Sequence, residues 1–464
     1  MTIYVEWRVV MGQTTTGGGV QDTVGVPDDA TDFTSRVRSV EVDMSCAVGR
    51  VGGASARIVF DNSDGAFTPF GGGTYEDWDW LANPVWVQAK TGTNPASLTA
   101  QTPLFGGVVS DVEYQDDGFT STVTVNCDDA FTLAARGVFL VDWDNFLLPY
   151  NFAEVVLYWL AGNAIQEPPL FGADSVFYGV GSVFGSSDYR QPLELEVFIG
   201  DNFGDALNGL MVSEHGVCFP WILYVDPRLA QCDIRYEGLV IARDWLYGGT
   251  STYGEPDEYT FVEGTPTGTE LPFRSPTVGF NVDTLTNSAA CTIAGTGAVT
   301  QEAENTASIE SYGPRSAEFS SLYYGYDEDA LELAEDLVAR YSSVDFGITG
   351  ITLTGKMIQG KCADTALDQV SYLVQTPNNG LSDSTVFGGF DQPLRGPLFV
   401  PMFVEFTGAG GVDLSSRVTF FRASYRITPD DWELTLSDGR PAVSSFGFVL
   451  GRSNYGVLGT NKVA

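Results

Sequence analysis

Short runs in which apolar and polar residues alternate constrain the fold of this chain more than any other feature of its sequence. In SVEVDMSCAV, which starts at Ser39, the apolar residues are Val40, Val42, Met44, Cys46 and Val48. A period of two places such residues on one face of a β-strand. The 53 glycines and 22 prolines in 464 residues are typical of short strands joined by tight turns. The sequence therefore predicts a mainly β protein with a few helices.

Four further runs in the first third of the chain have the same character. They cover residues 54–60, 84–90, 104–114 and 121–127. In the last run Val123, Val125 and Cys127 alternate with polar residues, and a short helical patch, CDDAFTLAARG, follows. Runs at this spacing predict one compact antiparallel barrel or sandwich over residues 1–137.

Strands return after Phe346 in ITGITLTG, PLFVPMFVEFTG, RVTFFRASYRIT and WELTLSD. The last two runs predict a long antiparallel pair, because the Thr-Pro-Asp-Asp sequence at residues 428–431 between them is rich in turn formers. We expect a second β-barrel domain, with a C-terminal tail segment, over residues 346–464.

Three helices are predicted between the two barrels. Residues 151–165 have no internal breaker until Gly162 and predict a helix after an Asn cap. Residues 200–214 are interpreted as a second helix, and HGVCFPWILYV followed by CDIRYEGLV predicts a hairpin after it. The clearest helix is Asp327–Tyr341, with acids in its first turn and an apolar stripe of Leu331, Ala334, Leu337 and Val338. The connecting region, which includes a glycine-rich insertion, is expected over residues 138–240, and a strand-plus-helix domain over residues 241–345.

The charge balance excludes one class of function. Against 60 Asp and Glu the chain has 23 Lys and Arg, a formal net charge of −37. Non-specific binding to DNA or RNA needs cations that displace counterions, so stable nucleic-acid binding is not expected. The acidity fits either solubility in a salty medium or a surface or lumen that must not hold polyanions. The N-terminal sequence MTIYVEWRVVMGQ predicts no signal peptide, and no window of about 20 apolar residues predicts a membrane span.

Cysteine and histidine give no pattern typical of a metal or catalytic site. The six cysteines, which lack CxxC pairs and zinc spacing, predict buried free thiols; they are Cys46, Cys127, Cys218, Cys232, Cys291 and Cys362. His215 is the one histidine, and in HGVCFPW it and Cys218 are expected on opposite faces of a strand. No nucleophile elbow or phosphate loop occurs, so no catalytic, cofactor or metal residues are predicted.

Two acidic segments deserve separate interpretations. DNSDG, at residues 61–65, is rich in side-chain oxygens, but its glycine is fifth rather than sixth, so it fails the EF-hand spacing. A hairpin turn fits better, with the strand ending at Phe60, Gly65 at positive φ and the chain returning through Ala66 and Phe67. In TYEDWDWLANP, Trp78 and Trp80 flank an aspartate, which is typical either of a sugar-binding cluster or of a loop packed on the barrel or a neighbouring subunit.

Four groups of segments, taken in order, carry a resemblance. The first comprises SARIVFDNSDGAFTPF, LFGGVVSDVEY and VTVNCDDAFTLAARG, and the second is LNGLMVSEHGVCFPWILYV. The third comprises VGFNVDTLTNSAACTIAG, NTASIESYGPRSAEFSSL and the helix ending LVARY, with Asn287 and residues 308–315 as landmarks. The fourth is ITPDDWELTLSDGRPAVSSFGFVLGRSNYGVLGTNKVA. Together they resemble the baseplate hub or tail-tip minor tail proteins of tailed bacteriophages, especially phages with long non-contractile tails.

The resemblance implies a structural protein with no reaction, cofactor or metal. It implies two β-barrel hub domains joined by helix-containing segments, and a homotrimeric ring that adapts the sixfold tail tube to the threefold tip. The implied partners are the distal tail protein, the tape-measure protein, tail fibre or tip proteins and the host envelope, with DNA only in transit through the channel. The implied location is the virion tail tip, after assembly in the host cytoplasm.

Further assignments follow from the resemblance and residue type. Acids would face the channel, the closing SNYGVLG would pack on a neighbour or lead toward the tip, and exposed tryptophans would anchor subunit interfaces, namely Trp78, Trp80, Trp143 and Trp159. Two alternatives remain open. One is a glycan hydrolase that uses an Asp/Glu pair, and the other is a carbohydrate-binding adhesin with EDWDWLANP as its aromatic platform.

Overall fold

The computed structural model describes most of the chain outside its middle and its C-terminal end. The described residues are 2–12, 30–45, 53–69, 72–75, 80–81, 83–100, 103–129, 259–280, 285–293, 298–322, 326–343, 346–374, 402–406, 416–418, 420, 422–437 and 445–446, with short pieces between 143 and 242. The predicted helix at 151–165, the helical patch after Asp129 and the SNYGVLG segment lie outside them.

Strands dominate the described residues. They are β1 (Tyr4–Met11), β2 (Thr31–Asp32), β3 (Val37–Ser45), β4 (Gly53–Asp61), β5 (Pro84–Gly92), β6 (Thr99–Ala100), β7 (Phe105–Asp116), β8 (Ser121–Asp128), β9 (Trp143–Asp144), β10 (Glu196–Val197), β11 (Ile222–Tyr224), β12 (Val240–Ala242), β13 (Tyr259–Glu263), β14 (Leu271–Phe280), β15 (Ser288–Ile293), β16 (Gln301–Glu304), β17 (Arg315–Leu322), β18 (Phe346–Thr354), β19 (Met402–Glu405), β20 (Ser416–Val418), β21 (Arg422–Ile427), β22 (Trp432–Ser437) and β23 (Ser445–Phe446). The helices with described bounds are α1 (Thr306–Tyr312), α2 (Asp327–Tyr341), α3 (Gly355–Lys361) and α4 (Leu367–Leu373). The predicted class, mainly β with a few helices, is confirmed.

One large sheet joins strands from both ends of the sequence. Its order is β2-β1-β5-β7-β8-β4-β3-β21-β22-β18-β14-β13-β19-β20, with β6 beside β5. The junction is the antiparallel pair of β3 and β21, in which Val42 lies opposite Tyr425. A smaller sheet has the order β16-β15-β17-β23. The domain boundaries and the closure of each unit into a barrel stay predictions.

Alternation along the strands determines which side chains form the core. In β3 the predicted apolar face is confirmed for Val40, Val42 and Met44, which are buried while the residues between them reach solvent. Cys46 and Val48 lie outside the described residues. The sheet curls so that Trp7 of β1 contacts Tyr425 and Trp432, with ring centroids 6.2 and 5.9 Å apart. Edge-to-face contacts of this kind add to the energy of burial. The main core therefore combines residues of the first and last thirds of the chain.

Helix α2 has the predicted bounds but a different buried stripe. Ala334, Leu337 and Val338 are buried as predicted, whereas Leu331 is only half-buried. Ala330 and Leu333 are buried instead, because the helix presents that face to β15 and β16. Helices α1, α3 and α4 were not predicted; each has seven residues, too few for a periodic pattern to stand out.

The predicted pair at the C-terminal end is confirmed as β21 and β22, and the Thr428 amide donates to the Asp431 carbonyl across the turn, at 2.9 Å. After residue 214, β11 and β12 form an antiparallel pair, as the predicted hairpin requires. The second strand lies later than predicted, because β12 starts at Val240, the last residue of the run CDIRYEGLV. Asp205, Gly209 and Ser213 are helical, in agreement with the predicted helix there. Within the described residues, no helix is both long and apolar enough to cross a membrane.

Candidate functional site

The DNSDG segment forms a turn after β4, but not a two-stranded hairpin. Gly65 has a φ of 70°, as predicted, and the Ala66 amide donates to the Asp64 carboxylate at 3.1 Å. The chain then continues in turns through Pro69 instead of returning as a strand. The predicted hairpin is wrong because both edges of β4 are already paired, one with β3 and the other with β8.

Arginines from the segment before and at the start of β3 hold the two carboxylates of this loop. Asp64 accepts two hydrogen bonds from Arg36, at 2.9 and 2.8 Å, and Asp61 accepts one from Arg38 at 2.8 Å. The bonds from Arg36 lower the pKa of Asp64 to about 2. The Arg36 guanidinium also lies 5.3 Å from the centre of the Phe67 ring. The carboxylate oxygens of this loop, which resembled calcium ligands in the sequence, therefore accept hydrogen bonds from arginines; we call the Arg36–Asp64 pair a clasp.

Asn62 connects the same loop to the sheet. It is buried, its amide nitrogen donates to the hydroxyls of Thr68 and Ser121, and its amide oxygen accepts from the Phe67 amide at 2.8 Å. Every hydrogen-bonding atom of the side-chain amide is thus used within the loop and the start of β8. These bonds hold the loop in one conformation against the start of β8.

One interpretation of TYEDWDWLANP predicted that Trp80 is exposed in a sugar-binding or interface cluster, but Trp80 is buried. Its side chain is 7% exposed and packs edge-to-face on Phe67, with ring centroids 5.4 Å apart. Phe33 and Tyr75 complete the aromatic cluster. The prediction of an exposed anchor at Trp80 is wrong because burial of these rings fills the space between the loop and the sheet. Trp78 and Trp159 lie outside the described residues, and only the backbone of Trp143, in β9, is described.

The outward face of the large sheet carries a row of side chains with alternating charge. We call this set the charge row; it consists of Asp111, Asn126, Arg57, Glu41, Arg426, Glu433 and Arg274. Cross-strand register places Asn126 opposite both Asp111 and Arg57, and Glu41 opposite both Arg57 and Arg426. Glu433 lies opposite Arg426 and forms an ion pair with Arg274. Opposite charges on neighbouring strands stabilise a sheet modestly, since these groups are solvated.

The charge row itself carries no net charge, although the chain is strongly acidic. It has three carboxylates and three guanidiniums, with Asn126 donating to Asp111 at 3.3 Å and Arg57 lying 4.0 Å from Glu41. Another acidic molecule can approach this face with less net repulsion than a uniformly acidic one. The members of the row meet only through pairing between distant strands, so the sequence does not bring them together. The signal that it does contain is charged residues at outward strand positions.

Asn287, a landmark of the resemblance, is the centre of a buried hydrogen-bond network. Its amide nitrogen donates to the Gly313 carbonyl at 2.8 Å and to the Ser308 hydroxyl at 3.2 Å. Its amide oxygen accepts from the Arg315 amide at 2.7 Å. Ser308 in turn donates to the Ser342 carbonyl at 2.6 Å. One side chain thus ties β15, helix α1, β17 and the end of α2 together.

The described cysteines are buried free thiols, as predicted for them. Burial raises the pKa of Cys291 to about 12 and that of Cys362 to about 11, and raises the pKa of Cys127 further. A thiol that stays protonated is a poor nucleophile. His215 and Cys218 lie outside the described residues. Among the residues that the structure describes, no group of three or more metal-ligating side chains comes together.

No protein-family model and no curated protein matches the sequence. Among solved structures, the 43 kDa tail protein of prophage MuSo2 from Shewanella oneidensis is 11% identical, with a TM-score of 0.51, and the match covers 95% of this chain and 100% of that chain. A tail protein from Neisseria meningitidis is 9% identical, with a TM-score of 0.47 and coverage of 94% and 99%. Prophage tail protein gp18 from Listeria monocytogenes is 10% identical, with a TM-score of 0.44 and coverage of 93% and 95%. The match to the Shewanella protein, at a TM-score of 0.51, shows that the chain shares the fold of that prophage tail protein over nearly its whole length.

Proposed function

We propose that this chain is a structural protein of a phage tail tip or baseplate and acts as its hub. The observation that carries the proposal is the shared fold with the Shewanella prophage tail protein, at a TM-score of 0.51 over 95% of this chain. Segments quoted above for the sequence resemblance, among them the loop after β4 and the Asn287 network, have geometric roles in the fold. A virion location at the tail tip, after assembly in the host cytoplasm, belongs to the same proposal.

In this proposal three copies form a ring with two hub domains from each, which adapts the sixfold tail tube to the threefold tip. Mutual repulsion opposes ring formation, because each copy carries a net charge of −37. The neutral charge row supports the proposal, since it offers a face at which two acidic copies can meet. We assign this face to a contact between copies, and Trp78, Trp143 and Trp159 stay proposed anchors of the subunit interfaces.

The ring continues the tail channel, contacts the distal tail protein above and fibre or tip proteins below, and encloses the tape-measure protein before DNA passes. Acidic side chains along the bore give phosphates no site at which to bind, because counterion release needs Lys or Arg. A ring structure with a neutral or basic bore and acids only outside would contradict this part of the proposal.

A non-enzymatic role follows from the same assignment, and the buried Trp80 gives no support to a sugar-binding platform. The discriminating measurement is release of sugars from host envelope by the purified chain, compared with buffer alone. The hub proposal expects none, and release that depends on a facing carboxylate pair would favour the hydrolase instead.

The particle mass of the purified chain tests the ring directly. Light scattering or mass photometry of the chain alone is expected to give three times the chain mass of 50.0 kDa. If the ring forms only with a neighbouring tail protein, the mass should equal three chains plus that protein. A chain that stays monomeric and does not associate with tail proteins would contradict the proposed hub.

A further inference from the structure

Among the described residues, the outer edge of β1 is unpaired along most of its length. All eight residues of β1 pair with β5 on one side, whereas β2 covers only Val10 and Met11 on the other. The Val9 amide and carbonyl point to that outer side, where they bond to the Thr34 hydroxyl and the Phe33 amide. In an antiparallel pair the backbone groups of every second residue point the same way, so those of Val5 and Trp7 also point outward. Among the described residues, no strand pairs with them.

A cleft of about 400 Å³ lies beside this open edge. It is bounded by β1, by helix α3 and by the turn at residues 428–431, and its walls are largely apolar; they include Ile3, Val37, Val40, Ile358, Ile427 and Trp432. A volume of this size holds one or two large apolar side chains. The cleft and the strand edge form one continuous surface.

Trp7 lines the cleft and places a hydrogen-bond donor just beneath this surface. The indole nitrogen is inaccessible to solvent and has no acceptor among the described residues. Its ring stacks edge-to-face on Trp432 in the cleft wall, at 5.9 Å. A buried donor without an acceptor costs free energy that an incoming acceptor would recover.

The rim of the cleft is acidic. Glu6 and Asp430 are exposed, and the one cation among the lining residues, Lys356, lies 3.9 Å from Asp431. A second copy of this chain, at a net charge of −37, is poorly matched to such a rim. The rim instead favours a segment with lysine or arginine side chains.

We propose that the open edge of β1 and the adjoining cleft bind an extended segment of a different protein, with apolar side chains at alternate positions and basic side chains between them. The segment adds a strand to β1 through the backbone groups of Val5 and Trp7. Its apolar side chains enter the cleft, and its basic side chains face Glu6 and Asp430. The argument for this site does not rest on the proposed ring.

The probe is an end-blocked peptide of alternating valine and lysine, titrated into the full chain and followed by tryptophan fluorescence. Binding is expected, and a peptide in which serine replaces valine should bind at least about tenfold more weakly because it leaves the cleft empty. Equal binding of both peptides would reduce the interaction to non-specific charge attraction and overturn the proposal.

Two substitutions test the strand addition. Val5→Pro removes the outward amide while leaving the pairing with β5, since edge strands tolerate proline at such positions, and should weaken binding about tenfold or more. Val5→Ala is the matched control: it loses side-chain volume, keeps the amide and should retain most of the binding. If both variants bind as the wild type does, the proposed strand addition is wrong.

Amide hydrogen exchange of the wild-type chain tests the strand addition to β1 even if the proline variant fails to fold. The Val5 and Trp7 amides of the wild-type chain should exchange freely and become protected when the valine–lysine peptide is bound. Trp7→Phe, which keeps an aromatic ring and removes the indole donor, should weaken binding several-fold. Peptide binding without protection of the two amides would place the peptide elsewhere.

Discussion

Among single residues, two buried asparagines hold separate segments of the chain together through their hydrogen bonds. Asn287 and Asn62 are both buried, and each uses its amide oxygen and nitrogen on backbone and hydroxyl partners. Such side chains specify one geometry, because any displacement leaves a buried donor or acceptor without a partner.

Substitution of Asn287 by alanine should lower the free energy of unfolding by about 2–4 kcal/mol, because the Gly313 carbonyl and the Arg315 amide lose their partner. Chemical denaturation of the purified chain measures the effect. Asn94→Ala is the control, since Asn94 is exposed and bonds only its own loop, and it should cost about 0.5 kcal/mol or less. Equal effects of the two substitutions would contradict the central role of Asn287.

The clasp between Arg36 and Asp64 should depend on pH. The folded pKa of Asp64, about 2, lies below its ordinary value of 3.8, so the contribution is complete above about pH 4 and is lost as the pH falls toward 2. Because Asp64 is half exposed, Asp64→Asn should cost only about 0.5–1 kcal/mol at pH 7. Denaturation of both proteins across this range should show the difference disappearing at acid pH.

Arg36→Lys is the matched variant for the same clasp. It keeps the positive charge but cannot donate the two parallel bonds that Arg36 makes to Asp64. It should therefore lose part of the stabilisation at pH 7. An Asp64→Asn effect that is unchanged from pH 7 to pH 2 would show that the ion pair contributes nothing.

For secondary-structure elements, the periodicity of apolar residues predicted the bounds of helix α2 correctly but its buried face only in part. Helix α2 begins and ends at the predicted residues, yet the buried set is Ala330, Leu333, Ala334, Leu337 and Val338. This set follows the i, i+3, i+4, i+7, i+8 pattern more fully than the predicted stripe did, so the signal was present in the sequence. The position of β15 and β16 decides between the two faces.

Two leucine substitutions in α2 distinguish the faces. Leu333→Ala should lower the free energy of unfolding by about 2–4 kcal/mol, because Leu333 is fully buried and its removal leaves a cavity. Leu331→Ala, the same change on a half-buried position, should cost less than about 1 kcal/mol. A larger effect at Leu331 in thermal or chemical unfolding would restore the stripe predicted from the sequence.

At the scale of the whole molecule, net charge and sheet topology act together. A chain with a net charge of −37 repels its own copies, while pairing between strands distant in sequence creates a neutral row across the sheet. In the proposed ring, two copies therefore repel each other less where their charge rows meet than they would at uniformly acidic surfaces.

Salt should strengthen the proposed ring. Raising the ionic strength from about 0.02 M to about 0.3 M shortens the screening length several-fold and weakens the repulsion between acidic copies. The trimer fraction at fixed protein concentration should rise accordingly in sedimentation or light scattering. Dissociation of the trimer with added salt would show that attraction across ion pairs dominates the contact.

Sequence patterns alone predicted the β class, the α2 bounds, the positive φ of Gly65 and the resemblance to tail-hub proteins. They also predicted strands of the two ends of the chain, such as β3, β4, β8 and β22, but not β1 or β13 to β17. These follow from local patterns of polarity and turn residues, which act over a few neighbouring positions. Three features became visible only in the folded chain: DNSDG has no return strand, Trp80 is buried, and four charged residues lie in one row, namely Asp111, Arg57, Glu41 and Arg426. Each of these depends on which distant strands pair, and a strand's own alternation does not specify its neighbour.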